Sequence, residues 1–125
     1  MIAVDTNVLL RLLVGDDPAQ AAKARRLFDR ADAQHKAVWV ADTVLVEMVW
    51  TLARAYRRDR GDIVKALRTL SSHATVVLES AAAVRDAIDV FEHGKADFAD
   101  CLLSMKAQSA GCDELATFED RKSVV

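Results

Sequence analysis

Apolar residues recur along this chain in two alternating rhythms, short runs rich in β-branched residues and longer stripes at helical spacing. Ile2-Ala3-Val4, Ala37-Val38-Trp39-Val40, Thr75-Val76-Val77-Leu78 and Leu115-Ala116-Thr117 are the short runs, and each reads as a strand. Ser123-Val124-Val125 reads as a remnant of one more. Between them lie helical patterns. Thr6-Asn7 caps a helix beginning near Val8-Leu9-Leu10, which Gly15-Asp16-Asp17-Pro18 breaks. Pro18 opens a second helix with Ala21, Ala24, Leu27, Phe28 and Ala31 on one stripe. Asp42-Thr43 caps a third, which carries Leu45, Met48, Val49 and Leu52 and runs to about Arg58. A shorter helix follows Gly61-Asp62 through Ile63, Ala66, Leu67 and Leu70. Ser80 caps the next, with Ala83, Val84, Ala87, Ile88 and Phe91 inward as far as Gly94, and Asp97 starts a last one with Leu102, Leu103, Met105 and Ala107 inward until Gly111.

Strands that alternate with helices predict an α/β fold, a three-layer α/β/α arrangement around a central, mainly parallel sheet. A length of 125 residues predicts one domain over residues 1–125, since such a chain buries roughly 65–70% of its unfolded surface around one core. No apolar stretch approaches the ~18 residues that cross a bilayer, and the N-terminus carries no basic leader. Two cysteines, Cys101 and Cys112, make no disulfide framework and fit a reducing cytoplasm. Lys and Arg total 17 against 19 Asp and Glu, a net charge of −2, which excludes a protein that coats nucleic acid through a global positive field. Local grip remains open. Arg54, Arg57, Arg58 and Arg60 lie close together, either as cations suited to a helix C-terminus or as phosphate contacts.

Acidic residues punctuate the apolar runs. Asp5 follows the first strand, Glu47 sits within Val44-Leu45-Val46-Glu47-Met48-Val49 beside the apolar stripe, Asp97 and Asp100 open the late helix, and Glu119 follows Leu115-Ala116-Thr117-Phe118. Each alone has an ordinary reading as a cap, a turn ligand or a solvated charge. Together they carry more, because ligands of parallel sheets gather beyond the carboxyl ends of the strands, where all five acids can meet. Asp97 and Asp100 share one helix face at i, i+3 spacing. Crowded carboxylates repel unless a hard divalent cation neutralises them, and Mg²⁺ and Mn²⁺ bind through a few carboxylates plus phosphate oxygens. The chemistry implied is metal-dependent transfer of a phosphoryl group to water. Competing sites lack parts: His35, His73 and His93 have no metal-ligand spacing, the glycines form no phosphate loop, and no nucleophilic serine motif is present.

Met1-Ile2-Ala3-Val4-Asp5-Thr6-Asn7-Val8-Leu9, Val46-Glu47, Ala96-Asp97-Phe98-Ala99-Asp100-Cys101-Leu102-Leu103 and Leu115-Ala116-Thr117-Phe118-Glu119 together resemble a PIN domain, and more narrowly a VapC-type ribonuclease toxin. The resemblance covers nearly the whole chain. It implies a Mg²⁺- or Mn²⁺-dependent endoribonuclease, a homodimer, an RNA substrate, and a VapB-type antitoxin through which alone operator DNA is contacted. Carried over by motif, Asp5, Glu47 and Asp100 match the three core acids and metal ligands, with Asp97 an additional acid. Thr6 and Asn7 match polar residues that orient the first acid or a metal-bound water. The fourth acid stands two residues after a threonine, here Thr117, so it falls on Glu119 where aspartate is usual, with Asp120 as the alternative. Two other classes compete: a catalytically silent PIN-like binding module, which metal titration separates, and an aspartyl-phosphate protein, whose phosphatase form wants a second Asp where Asn7 stands. Trp50 and Tyr56 are candidate dimer anchors, with core burial the alternative for Trp50.

Overall fold

The computed structural model describes residues 1–118. In chain order they form β1 (Ile2–Ala3), α1 (Thr6–Val14), α2 (Pro18–Ala33), β2 (Val38–Val40), α3 (Asp42–Arg54), α4 (Arg60–Ser72), β3 (Val76–Leu78), α5 (Ala81–His93) and α6 (Phe98–Ser109). By internal contacts the chain divides into two compact units, Met1–Glu79 and Ser80–Val125. No helix among the described residues is long and apolar enough to cross a membrane.

The first unit holds the sheet. Its strands are all parallel, in the order β1-β2-β3, with Ile2 opposite Val38 and Val38 opposite Val76. Val38 and Val40, two residues apart and therefore on one face, are completely buried. Because the strands run the same way, their carboxyl ends share one edge. An acid follows each end: Asp5 after β1, Asp42 after β2 and Glu79 after β3.

Aspartates start three of the helices in this unit. Asp5 accepts the amide of Val8 at 3.1 Å, Asp17 that of Gln20 at 3.1 Å, and Asp59 that of Asp62 at 2.8 Å, each satisfying an amide that the helix leaves without an internal partner. The cap of α1 is thus Asp5, not Thr6-Asn7, because a carboxylate one residue earlier reaches the same amides. Gly15 closes α1 at φ +68°, a left-handed position that suits glycine. The start of α3 also departs from the sequence reading. Ala41 occupies the cap position and contributes no side chain, while Glu79, 37 residues away, accepts the amide of Asp42 at 2.9 Å through Oε1.

The body of α3 buries Leu45, Met48, Val49 and Leu52. It stops at Arg54 rather than running to Arg58, since Arg57 turns into the left-handed region at φ +52°. Arg57 and Arg58 therefore stand exposed in the connection to α4, beyond the helix end that would have explained them. The three histidines also sit at helix ends. His35 follows α2, His73 follows α4 and His93 is the last residue of α5.

The second unit is built on the α5–α6 hairpin. Ala83, Val84, Ala87, Ile88 and Phe91 are buried along α5 as the stripe predicts. On α6 the buried set is Phe98, Cys101, Leu102 and Ser104, whereas Leu103 is 52% exposed. Leu102 and Leu103 stand about 100° apart on a helix, so the stripe set by Phe98 and Cys101 takes one and rejects the other. Among the described residues Leu115-Ala116-Thr117 forms no strand; Leu115 is half-buried and its neighbours to Phe118 are exposed. Ser123-Val124-Val125 lies outside the described residues.

Candidate active site

In the first unit the site is built where α1 and α3 begin their runs from the sheet edge. Asp5 is exposed; one of its oxygens, Oδ1, holds the first turn of α1. Thr6, next in sequence, is buried at 6% exposure, and its Oγ1 donates to Glu47 Oε2 at 3.0 Å. This bond joins residues 41 apart and fixes the carboxylate of Glu47 beside the residue that follows Asp5. Thr6 therefore orients Glu47, where the sequence reading expected it to serve Asp5 or a water. Glu47 itself is exposed and lies on the face of α3 opposite Leu45, Met48, Val49 and Leu52, not near that stripe. Its hydrogen bond, rather than burial among apolar residues, holds it.

Asn7 is exposed and lines a groove of about 440 Å³ between α1 and α2, together with Asp5, Val8, Arg11, Gln20, Lys23, Ala24 and Leu27. Arg11, which pairs with Asp16 at 3.5 Å, and Lys23 bring positive charge to the lining of this groove. A second hollow, of about 370 Å³, opens beside Glu47 on α3 and is lined by Asp42, Thr43, Val46, Glu47 and Trp50.

In the second unit Asp97 is the cap residue of α6 and Asp100 stands in its first turn. Asp97 is exposed. Asp100 is half-buried, with Oδ2 shielded from solvent. The positive end of the helix dipole favours both charges there. Thr117 is exposed, and Glu119 and Asp120 lie outside the described residues.

The structure thus brings Asp5, Thr6 and Glu47 together in one unit and Asp97 and Asp100 together in the other. In neither unit do the described residues gather three or more His, Cys, Asp or Glu side chains around a point where a metal ion would sit. The donors nevertheless suit a hard cation. All are carboxylate oxygens, and Asp5 and Glu47 each commit one oxygen to a structural hydrogen bond. Sequence reasoning gave Asp42 only a capping role and did not single out Glu79. Glu79 directly follows β3, and Asp42 comes two residues after β2 as Asp5 does after β1, which was the available signal.

Residues 2–125 match the family model for the PIN domain. The chain belongs to the PIN-domain family. With it stands the three-layer α/β/α class read from the alternation of strands and helices. The chain is also similar to the VapC ribonuclease of Aquifex aeolicus (strain VF5), with 28% identity over 121 residues that cover 97% of this chain and 89% of that protein. The resemblance drawn from the motifs holds over the same span. No solved structure matches the chain.

Proposed function

We propose that this PIN domain, a single domain over residues 1–125, is a Mg²⁺- or Mn²⁺-dependent endoribonuclease and the toxin of a cytoplasmic toxin–antitoxin pair. The observation that carries the reading is the hydrogen bond from Thr6 to Glu47, which ties the acid of α3 to the strand end that bears Asp5. Membership of the family and similarity to a protein named VapC ribonuclease support it. Neither a silent binding module nor an aspartyl-phosphate protein has an observation in its favour.

In this reading Asp5, Glu47, Asp97 and Asp100 hold the cation, with Glu119 as a further acid. A bound ion supplies Lewis acidity toward the phosphodiester and a water acidic enough to act near neutral pH. The chain's own part is to fix oxygen ligands. Thr6 prevents Glu47 from rotating freely, the Val8 amide sets one oxygen of Asp5, and the first turn of α6 presents Asp97 and Asp100 at i, i+3. Excess chelator is expected to stop RNA cleavage, and Mg²⁺ or Mn²⁺ to restore it. Full activity in chelator would defeat the metal mechanism, and absence of cleavage with every divalent ion would return the binding module.

The same reading assigns a homodimer and a VapB-type antitoxin that alone links the toxin to operator DNA. An antitoxin segment carrying both an amphipathic helix and an Arg or Lys suits this chain, because the helix can dock on the helices from Asp17 to Arg58 while the cation occupies the acidic site. Hydrogen exchange on the complex is expected to show new protection there. Protection confined to other surfaces would remove this account of inhibition.

A further inference from the structure

Trp50 projects from α3 with 61% of its surface exposed, on a helix whose other large apolar residues are buried or half-buried. It shares a face with Thr43, Glu47 and Arg54, at helical spacings of three and four, opposite the buried stripe of the same helix. Arg54 lies over the indole with its guanidinium carbon 5.8 Å from the ring centroid, within cation–π range. Toward the helix start, the ring borders the hollow of about 370 Å³ that it lines with Asp42, Thr43, Val46 and Glu47. One helix face thus presents, in order, an acid, an aromatic ring and a planar cation. Arg57 and Arg58 extend the positive charge into the following connection.

We infer that Trp50 is a stacking platform for a nucleobase of single-stranded RNA, with Arg54 taking the adjoining phosphate. This rests on the nuclease reading and adds to it a residue that positions the substrate. Single strands offer unstacked bases to aromatic side chains, and every base has a face that an indole accepts. A base stacked on Trp50 lies one helical turn from Glu47, so its own phosphodiester comes to the acid. The order also separates charges by task. Phosphate is drawn to Arg54, Arg57 and Arg58, and the carboxylates would draw the bond to be cut through the cation they would hold.

A second copy of this chain is the competing occupant. Among the described residues Trp50 is the only exposed large hydrophobic on α3; half-buried Val46 and exposed Ala53 add a little apolar surface beside it, but Thr43, Glu47 and Arg54 on the same face are polar or charged. The centre of a protein–protein interface is depleted in charge and needs a broader apolar area. A lone ring between an acid and a cation suits a small planar ligand better.

The test uses Asp5→Asn protein to hold RNA uncut, with Trp39→Phe added so that Trp50 is the one remaining tryptophan of the two. Short single-stranded oligoribonucleotides of mixed sequence are expected to quench Trp50 fluorescence, and the same strands annealed into duplex are not. Trp50→Ala should weaken single-strand binding about tenfold. Trp50→Phe should restore most of it, and sedimentation should give Trp50→Ala the same oligomeric state as the parent. Unchanged binding by Trp50→Ala would overturn the inference while leaving the nuclease reading intact. Equal quenching by duplex would also overturn it, as would dissociation of a dimer by Trp50→Ala. Failure of the Trp50-bearing protein to bind or cut any RNA with Mn²⁺ present would overturn the function and the inference together.

Discussion

Exchanging Glu47 for Gln is expected to slow RNA cleavage roughly a hundredfold or more while leaving the fold intact. The two side chains have the same shape, and the Gln carbonyl oxygen can still accept the hydrogen bond that Thr6 Oγ1 gives to Glu47. What is lost is a negative charge, and with it the ability to hold a hard cation against a phosphodiester. Groups placed for proton or charge work at a reacting centre commonly contribute ~10²–10⁴ in rate. Asp5→Asn should behave alike, because Asn caps helices as well as Asp and keeps the bond to the Val8 amide. Thr6→Val supplies the comparison. It removes the orienting hydroxyl and keeps every charge, so a smaller loss, about tenfold, is expected. Initial cleavage rates on one RNA in excess Mn²⁺ measure all three. Thermal melts then separate site from scaffold, since Mn²⁺ should raise the melting temperature of the parent more than that of Glu47→Gln. A Glu47→Gln protein that cuts at the parental rate, or that gains as much from Mn²⁺, would remove Glu47 from the site.

The parts of the molecule that sequence predicted well are those determined within a few residues. Pro18 with Asp17 before it starts α2, Asp97 occupies the cap of α6, and the three parallel strands lie where β-branched residues cluster. The errors arise where a distant residue decides. Glu79 caps α3 from the turn after β3, so nothing near Asp42 reveals that cap. Thr6 looked like a cap because its neighbourhood resembles one, yet its hydroxyl is taken by a glutamate 41 residues on. Glu47 was expected near the apolar stripe because its sequence neighbours are apolar. On the helix that adjacency means little, and Leu45 and Met48 point away from it. Trp50 shows the same limit. Its apolar character argued for an interface or a core, while its exposure beside Arg54 became visible only with the helix in place.

The largest loss of stability from a single change beside the acids is expected at Phe98. Phe98 is 1% exposed and meets Phe91 edge-to-face, with ring centroids 5.8 Å apart and an interplanar angle of 86°. This pair joins α5 to the start of α6, which presents the cap residue Asp97 and the first-turn residue Asp100 on one face. Truncating a buried Phe to Ala removes its transfer energy and leaves a cavity, at a cost of about 3–5 kcal/mol. Set against a total stability of ~5–15 kcal/mol for a domain, that is a large fraction. Urea unfolding of Phe98→Ala should show it as a lower midpoint with little change in slope. Phe98→Leu fills most of the cavity and should cost markedly less. The two variants also test whether packing positions the acids. If it does, Phe98→Ala loses more cleavage than its unfolded fraction accounts for, and Mn²⁺ stabilises it less than it stabilises Phe98→Leu. Stability lowered by less than about 1 kcal/mol would instead show that the second unit does not rely on this ring pair.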